Sequence, residues 1–573
     1  MRYLLLFLLS VPVFSQVTTG SISGFVVDPT HQPISRSNVI ASDPSRSIRR
    51  SATTDDSGFY RFDNLPPAIY DVSVSAQGFD QASASGLRLE VSANVRVDFH
   101  PQIAGKRENV SVQSSVSAVQ TESSDLGTVL DRVMISKLPL NERDFLQLAL
   151  LTPGVLPPVQ DSQLSTRGDF AMHANGGREE FNNFLLDGAD NNDPDVNAYV
   201  LQPSVDAIEE FKIETNSYDA EYGRSAGGQV NVITRSGTNE LHGFAYEYLR
   251  NRVLDARNFF DGTDKPQLIR NQFGGGLGGP LWRNKTFFFA DYDGLQGDQG
   301  YSRLATVPTV AERNGNLAGS SPVFNPFAQQ PFPGNQVPSY LISPIASKIL
   351  NLYPLPSNGA ATGNYLAQPV GNNSLHQYNI RVDHSFNDSN QLTLRYSYGH
   401  KNIFEPYTEN STTNVPGFGD YVRDRGHNAL ATYTRVLRPR STNTLLLGFN
   451  RAGRSILQQN YQTDVNALWG VNYLPSTSLE SGYPAISVSG FSGLGDLTSL
   501  PIDRHTNVYQ LHDNVSLIRG NQSIKIGAEF RKNELNGTVA ELPRGSISFL
   551  GALSGSGISD LLLGLPTFTI DSQ

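Results

Sequence analysis

Four aspartates within nine positions are the densest group of candidate metal ligands in the sequence: Asp187, Asp190, Asp193 and Asp195. A calcium loop needs oxygen ligands at alternating positions, a glycine at the sixth position and a carboxylate at the twelfth. Counted from Asp193, these two positions hold Ala198 and Ser204. The spacing therefore excludes a calcium loop of this kind and predicts a solvated acidic turn without a metal.

Two other segments resemble chemical motifs but lack the residues that the chemistry needs. The glycines of residues 274–279 are followed by Pro280-Leu281-Trp282 rather than by Gly-Lys-Ser/Thr, so they predict a strand entering a turn and not a phosphate cradle. Arg167-Gly168-Asp169 is interpreted as a turn and not as an adhesion tripeptide. No nucleophile–base pair or metal constellation is recognisable, so we expect neither an enzyme nor a bound cofactor.

Composition narrows the class of protein further. The 573 residues contain no cysteine, which excludes disulfides, thiolate catalysis and thiolate metal sites. The 44 basic and 54 acidic residues give a net charge of −10, which does not favour a nucleic-acid partner. The 51 glycines, 23 tyrosines and 30 phenylalanines are typical of membrane β-barrels, which use glycine in turns and aromatic residues in girdles.

The N-terminus predicts export. Residues 1–15 combine Arg2 with an apolar run from Leu4 to Phe14, and cleavage is expected before Gln16. The run is shorter than the roughly 20 residues that span a bilayer. An exported chain with alternating strands and no spanning helix enters a membrane as a barrel.

Residues 16–104 predict a small β-sandwich of short strands separated by turns. Tyr70, Val72 and Val74 alternate with polar residues, and Asp28-Pro29 marks a turn in which His31 is interpreted as a turn residue. The order Asp56-Ser57-Gly58-Phe59-Tyr60, Tyr70-Asp71-Val72 and Gly78-Phe79 resembles the carboxypeptidase regulatory-like domain. Ala68 and His31-Gln32 depart from that pattern at turn positions.

Residues 129–237 predict a compact α+β domain of short strands and glycine turns. Phe184 to Leu186 form a strand that ends at the Asp187-Gly188 turn. Phe211 and Ile213 alternate with Lys212 and Glu214, which predicts one buried and one wet face. Gly227-Gly228 predicts a bend or a close backbone approach, and the stretch before Pro153-Gly154 is expected to be helical or mixed.

These segments, in this order, resemble the plug domain of TonB-dependent outer-membrane transporters, with the Oar-like branch as the nearest pattern. The resemblance extends to Leu138-Pro139-Leu140-Asn141-Glu142-Arg143 before the strands. It singles out a plug motif that comprises Arg167, Gly168, Asp187, Gly188, Glu221, Tyr222, Gly223, Arg224, Gly227 and Gly228.

Residues 105–128 are a polar linker that contains one alternating segment, residues 108–112. By the same resemblance, Glu108, Val110 and Val112 would contact TonB, the energising protein, by pairing as an added strand. An ordinary linker strand is an equally good interpretation of the alternation.

Residues 238–573 predict the first part of an outer-membrane β-barrel, because segments such as Leu392 to Tyr398 alternate apolar and polar residues. A long Pro-, Asn- and Gly-rich loop is expected between about Gly297 and Ser374, with a short helix near Ile345 to Leu352. Barrels of the resembled class have about 22 strands, and this region holds about half as many. We therefore expect an incomplete barrel.

The resulting fold class is mainly β: a sandwich, an α+β plug and a partial antiparallel transmembrane barrel. The resemblance implies a receptor or transporter of the cell outer membrane, with its N-terminal domain in the periplasm. The implied partners are the TonB energy-coupling complex, outer-membrane lipid and an unidentified extracellular ligand, whether siderophore, glycan or peptide. The alternative is a structural or adhesion protein on the same scaffold that does not transport.

Overall fold

The computed structural model describes residues 19–104, 126–138, 140, 143–157, 172–218, 221–223, 225–257, 265–319, 321–407, 413–438, 440–472, 481–520 and 522–570. The predicted signal peptide and six residues of predicted sites lie outside these ranges: Glu108, Val110, Val112, Arg167, Gly168 and Arg224. In the described part the chain is mainly β, which confirms the predicted fold class.

The N-terminal domain is a sandwich of two sheets, in the orders β4-β1-β7 and β3-β2-β5-β6. Alternating residues of both sheets, including Tyr60 and Tyr70, fill the shared core. The His31 backbone has φ of 62° and its N–H donates to the Asp28 carbonyl, which confirms the turn. The strands are β1 (Gly20–Phe25), β2 (Asn38–Asp43), β3 (Ile48–Thr53), β4 (Phe59–Leu65), β5 (Ala68–Ser75), β6 (Ala82–Leu89) and β7 (Asn94–Arg96).

The plug domain is organised around a five-stranded sheet in the order β12-β11-β14-β13-β8. Its strands are β8 (Leu126–Asp131), β9 (Val155–Leu156), β10 (His173–Ala174), β11 (Asn183–Leu186), β12 (Ala189–Asp190), β13 (Ile208–Asn216) and β14 (Gln229–Thr234). The stretch predicted as helical or mixed is mixed: β8, then α1 (Arg132–Lys137), then a 3-10 helix (Phe145–Leu151). Further 3-10 turns cover Glu179–Phe181 and Val205–Ala207. Because β8 begins at Leu126, the plug sheet starts before the predicted boundary at residue 129.

The prediction of a wet face on β13 is wrong. Lys212 is 3% and Glu214 1% exposed, and the Lys212 ammonium lies 2.6 Å from the Glu214 carboxylate. The sheet is enclosed by other parts of the chain on both faces, so the alternating charged residues pair with each other instead of meeting water. Apolar and charged residues therefore still alternate along β13, but both sets are buried.

The close approach predicted at Gly227-Gly228 is confirmed. A Cβ on Gly227 would lie 2.6 Å from the Phe181 carbonyl oxygen, and one on Gly228 would lie 3.2 Å from the Ala174 Cβ. The Gly228 N–H donates to the Asn182 side chain at 3.0 Å. Two glycines thus let the chain cross β10 and the 3-10 turn before it enters β14.

The barrel region is one nine-stranded antiparallel sheet that follows chain order. Its strands are β15 (His242–Asn251), β16 (Leu268–Trp282), β17 (Thr286–Gly300), β22 (Val370–Asn387), β23 (Asn390–Glu405), β24 (Asp420–Arg438), β25 (Ser441–Gln458), β27 (Ile502–Arg519) and β28 (Gln522–Val539). The glycines of 274–279 lie in β16, which turns into β17, as predicted. Within the described ranges, the edge strands β15 and β28 are not paired with each other.

The two faces of this sheet differ as predicted. On β23, Leu394 and Tyr396 are 43% and 45% exposed, whereas Arg395 and Ser397 are buried. The buried face is the inner one, because Gly399 on this face lies against the plug. A Cβ on Gly399 would lie 2.6 Å from the Leu201 side chain of the plug. In the described part of the chain, no helix has the length and apolar character needed to cross a membrane.

The long connections at one end of the sheet pack into a cap with its own apolar core. The cap contains β18 (Arg303–Ala305), β19 (Phe324–Asn325), β20 (Gln330–Pro331), β21 (Tyr365–Ala367), β26 (Ala485–Val488), β29 (Ser546–Phe549), β30 (Phe568–Ile570), α2 (Val310–Arg313), α3 (Pro344–Leu350), α4 (Val465–Trp469), α5 (Gly557–Leu563), and 3-10 turns at Pro333–Asn335 and Ser339–Leu341. The expected short helix is α3. The cap core joins four separate connections, which periodicity within one segment does not predict.

The sandwich closes the opposite end of the lumen, where the hairpins are short. The Val91 N–H donates to the Glu210 carboxylate of the plug at 2.5 Å, and the Ser92 and Tyr222 hydroxyls are 3.2 Å apart. The Asn64 amide also donates to Ser516 of β27 at 3.3 Å. The sandwich therefore contacts both the plug and the barrel wall.

Docking of the sandwich is predicted to weaken as pH rises. Burial raises the pKa of Glu210 to about 8, whereas an undocked Glu210 would titrate near the ordinary value of about 4.3. The docked state then binds the proton more tightly, so docking is favoured at low pH and loses this contribution between about pH 4 and pH 8. Docking can be measured as the distance between one spin label on the sandwich, at Ser85→Cys, and one on the barrel, at Asn387→Cys. The chain has no native cysteine that would also be labelled.

Glu210→Gln should abolish that pH response, whereas Glu209→Gln on the same strand should keep it. A label distance that is constant from pH 5 to pH 8.5 in the unmodified protein would show that Glu210 does not control docking.

Seating of the plug is predicted to depend on glycines in the barrel wall. A Cβ on Gly426 would lie 2.7 Å from Leu201 and 2.9 Å from Val200, so Gly426→Ala should destabilise the seated plug by about 1–3 kcal/mol through overpacking. Protease cleavage of the plug across a urea series reports this loss. Leu201→Ala should restore stability in the double variant, and Gly359→Ala, where no atom lies within 4 Å, is the matched control. A seated plug that tolerates Gly426→Ala would refute the packing argument.

Candidate functional site

The candidate site is built on the hairpin that joins β11 to β12. Asp187 and Gly188 have φ of 51° and 83°, the positive values that a tight two-residue hairpin requires. The Asp187 carboxylate accepts from the Thr234 N–H at 2.8 Å and from the Thr234 hydroxyl at 2.7 Å. These contacts fasten the predicted Asp-Gly turn to the end of β14 and aim its carboxylate at the barrel wall.

Two barrel arginines meet that carboxylate. Arg395 of β23 lies 2.7 Å from Asp187 with a fully buried side chain, and Arg381 of β22 lies 3.2 Å away. Arg395 also donates to the Leu186 carbonyl at 3.0 Å and to the Asn428 side chain at 2.6 Å. The Arg395 guanidinium thus has hydrogen-bond partners on both the plug and the wall. A buried charge needs such partners to offset the loss of water.

The prediction of a solvated acidic turn is wrong. Asp187 and Asp190 are 6% and 2% exposed. Asp190 pairs with Arg531 of β28, and Asp195 pairs with Arg504 of β27. The acidic group is buried because arginines that are distant in sequence neutralise it inside the lumen.

Asp193, the fourth aspartate, is held differently. Its carboxylate accepts from the Thr506 hydroxyl at 3.2 Å, and burial raises its pKa above the ordinary value. Asp193 also borders a cavity, described below, whereas the other three carboxylates are engaged by arginines. It is the aspartate of this group with the most direct access to that space.

Side-chain amides of the wall complete the contact with the hairpin backbone. Asn428 donates to the Asp190 carbonyl at 2.7 Å and Asn450 donates to the Asn192 carbonyl at 2.8 Å. In return the Asp190 N–H donates to Gln510 at 3.0 Å. Loop backbone inside a membrane protein needs such partners, because an unpaired group away from water costs several kcal/mol.

A cavity of about 160 Å³ lies between the plug apex, residues 199–204, and the barrel wall. Charged and amide side chains line much of it: Arg143, Asp144, Asp193, Gln202, Arg270, Gln272, Asp293, Asn373, Gln377, Lys401, Asp424 and Arg454. Arg454 and Asp424 form a two-point ion pair at 2.9 and 3.0 Å. Both charge signs and several amides converge there, so the cavity can bind a polar ligand.

Other residues of the predicted plug motif lie away from this cavity. Glu221 pairs with Lys525 of β28 at 3.3 Å, and buried Tyr222 faces the sandwich. Space is open around a Cβ on Gly223, while Gly227 and Gly228 serve the crossing described above. The motif therefore divides between the arginine-bound hairpin and the contacts at the other end of the lumen.

The arginines that bind the hairpin were missed in the sequence. Arg381 and Arg395 each lie between outward residues that are apolar or aromatic, whereas Arg504 and Arg531 each have a charged outward neighbour, Asp503 and Lys532. An inward arginine between apolar outward residues is a detectable signal for a luminal partner. The strand pattern therefore contained this signal for Arg381 and Arg395. The sequence could not show which plug residue each arginine binds, because that depends on how distant segments align in the fold.

Comparisons with known proteins agree with this architecture. Residues 233–573, more than half of the chain, match the family described as outer membrane beta barrel domain, and residues 21–102 match the carboxypeptidase regulatory-like domain. A curated relative, the TonB-dependent transporter Oar of Myxococcus xanthus, is 28% identical over 298 residues, which cover 49% of this chain and 27% of the relative.

Solved outer-membrane proteins are similar to the chain at low identity. The transporter YddB of Escherichia coli has 11% identity and a TM-score of 0.48, covering 74% of this chain and 50% of its own. The siderophore receptor PirA of Acinetobacter baumannii has 14% identity and a TM-score of 0.42, covering 72% and 48%. The chain thus spans about half the length of these solved proteins.

The curated relative is named as a transporter, in agreement with the expectation that the chain is not an enzyme. The barrel match places the chain in the outer membrane, with the sandwich on the periplasmic side and the cap outside. The chain belongs to the outer membrane β-barrel family and carries a carboxypeptidase regulatory-like domain ahead of its plug and barrel strands.

Proposed function

We propose that the chain is part of a TonB-dependent outer-membrane transporter, in which a ligand binds above the plug apex and passes after the plug moves. The observation that carries the proposal is the polar cavity between residues 199–204 and the barrel wall. The plug supplies one side of that cavity, so a ligand bound there contacts the element that must move. The named activity of the Oar relative supports this assignment.

The cavity favours a polar ligand. Its volume of about 160 Å³ is below the ~300–1,000 Å³ of typical small-molecule sites. Binding of a larger ligand therefore requires the plug apex or the cap to shift. Siderophores, glycans and peptides all carry the donors and acceptors that arginine, aspartate and amide side chains recognise, so all three classes fit the proposal.

The contacts between plug and wall suit a reversible displacement. At the apex they are ion pairs and amide hydrogen bonds, which lose most of their strength once partners separate by a few ångströms. The plug has an apolar core of its own, which includes Phe145, Phe211 and Ile213. The plug can therefore leave the wall while its own core stays packed.

Passage into the periplasm also requires the sandwich to move. Its contacts with Glu210, Tyr222 and Ser516 lie across the exit side of the lumen. Force applied through residues 105–128, which join sandwich to plug, would act on both elements.

The proposed TonB contact is tested in residues 108–112. Val110→Pro removes a backbone donor and fixes φ, so pairing as an added strand should weaken. We expect binding of the TonB C-terminal domain to the full-length protein, measured by surface plasmon resonance, to fall about ten-fold. Val119→Pro, in the same linker but outside the alternating segment, is the matched control and should bind as the unmodified protein does. Equal binding by the Val110→Pro variant would remove the coupling assignment.

A further inference from the structure

A group of cationic side chains lies on the outer face of the barrel, away from the plug. On β24 the inward residues are identified by Gly426, whose Cβ would meet Leu201, and by Asn428, which binds the Asp190 carbonyl. Strand alternation then turns Arg423 and Arg425 outward, and both are exposed. On β25, inward Asn450 places Arg451 outward by the same argument.

These arginines lie directly above an aromatic and histidine band. Tyr378 and Tyr398 have ring centroids 6.4 Å apart, and Tyr398 lies 4.9 Å from His427. Arg425 is opposite His400 in the register of β23 and β24, and Arg451 is opposite His427 in that of β24 and β25. Aromatic bands of this kind mark the boundary between hydrocarbon and headgroups.

The position of the aromatic and histidine band along the strands agrees with the boundary between hydrocarbon and headgroups. The lipid-facing side chains below it include exposed Leu394, Tyr396 and Ile380. From Leu392 to His400 the strand climbs roughly 20 Å at the usual rise and tilt, close to the ~25 Å apolar band of outer-membrane barrels. Arg423 and Arg425 therefore lie at headgroup level on the cap side, which is the outer leaflet.

The charge of this group is not neutralised by the described protein. Among the residues of the described ranges, no carboxylate forms an ion pair with Arg423, Arg425 or Arg451. Arg451 donates to the Asn507 side chain at 3.1 Å, which orients it without cancelling its charge. The inner arginines, by contrast, are bound to plug aspartates.

We propose that Arg423, Arg425 and Arg451 form a docking surface for the phosphorylated headgroup of an outer-leaflet lipid. Guanidinium groups bind phosphate oxygens by charge-assisted, two-point hydrogen bonds. Cations with no carboxylate partner among the described residues, placed at headgroup height beside an aromatic band, fit an anionic lipid better than a soluble anion. The proposal rests on the outer-membrane location and not on transport.

The test measures binding of a diphosphorylated lipid A to the full-length protein in detergent by native mass spectrometry. Arg423→Gln with Arg425→Gln should weaken binding about 25-fold, since each basic residue near an anionic surface contributes about five-fold. Lipid A from which the phosphates have been removed should bind the unmodified protein as weakly as the variant binds intact lipid. Raising the salt to 0.5 M should reduce the difference by screening.

Arg435→Gln is the matched control, because Arg435 is an exposed outward arginine on the same strand at the opposite end. It should lower affinity less than two-fold. Arg423→Lys with Arg425→Lys should retain most binding, which separates loss of charge from loss of folding. Equal binding by the glutamine variant, equal binding of dephosphorylated lipid, or an equal loss in Arg435→Gln would each overturn the proposal.

Discussion

The neutralisation of buried plug carboxylates by barrel arginines is the interaction on which the rest of this structure depends. A carboxylate moved out of water without a partner costs far more than a domain can supply. Asp187 and Asp190 are nearly inaccessible, yet each meets a guanidinium and further donors. Such a pair adds modest net stability, but removal of one partner leaves a buried charge. The pairs therefore specify one position for the plug more than they strengthen it.

Other features of the molecule follow from that position. The barrel wall has glycines where Leu201 of the apex must fit, and amides where the hairpin backbone needs partners. The enclosed sheet keeps Lys212 and Glu214 as a mutual pair because neither face reaches water. Below the plug, the sandwich contacts Glu210 of the plug and Ser516 of the barrel wall. The plug is thus held in place mainly by polar contacts that can be reversed.

Local patterns in the sequence predicted much of this fold. Strand alternation distinguished Arg395 from Leu394, the Asp187-Gly188 turn was recognisable from its residues, and the family resemblance supplied the order of domains. The aspartate cluster was misjudged because its solvation depends on Arg381, Arg395, Arg504 and Arg531, which lie far along the chain. The cap was missed for the same reason, since its core joins connections that are separately polar and rich in proline.

A double-mutant cycle on Asp187 and Arg395 tests the central claim most directly, with stability of the seated plug measured by protease cleavage across a urea series. Asp187→Asn and Arg395→Gln should each destabilise the seated plug by about 3–5 kcal/mol, and the double variant should lose clearly less than the sum. The exposed Lys532–Glu534 pair, 2.6 Å apart on the outer face, is the control and should couple by less than about 1 kcal/mol. Additive losses at Asp187 and Arg395 would contradict the account.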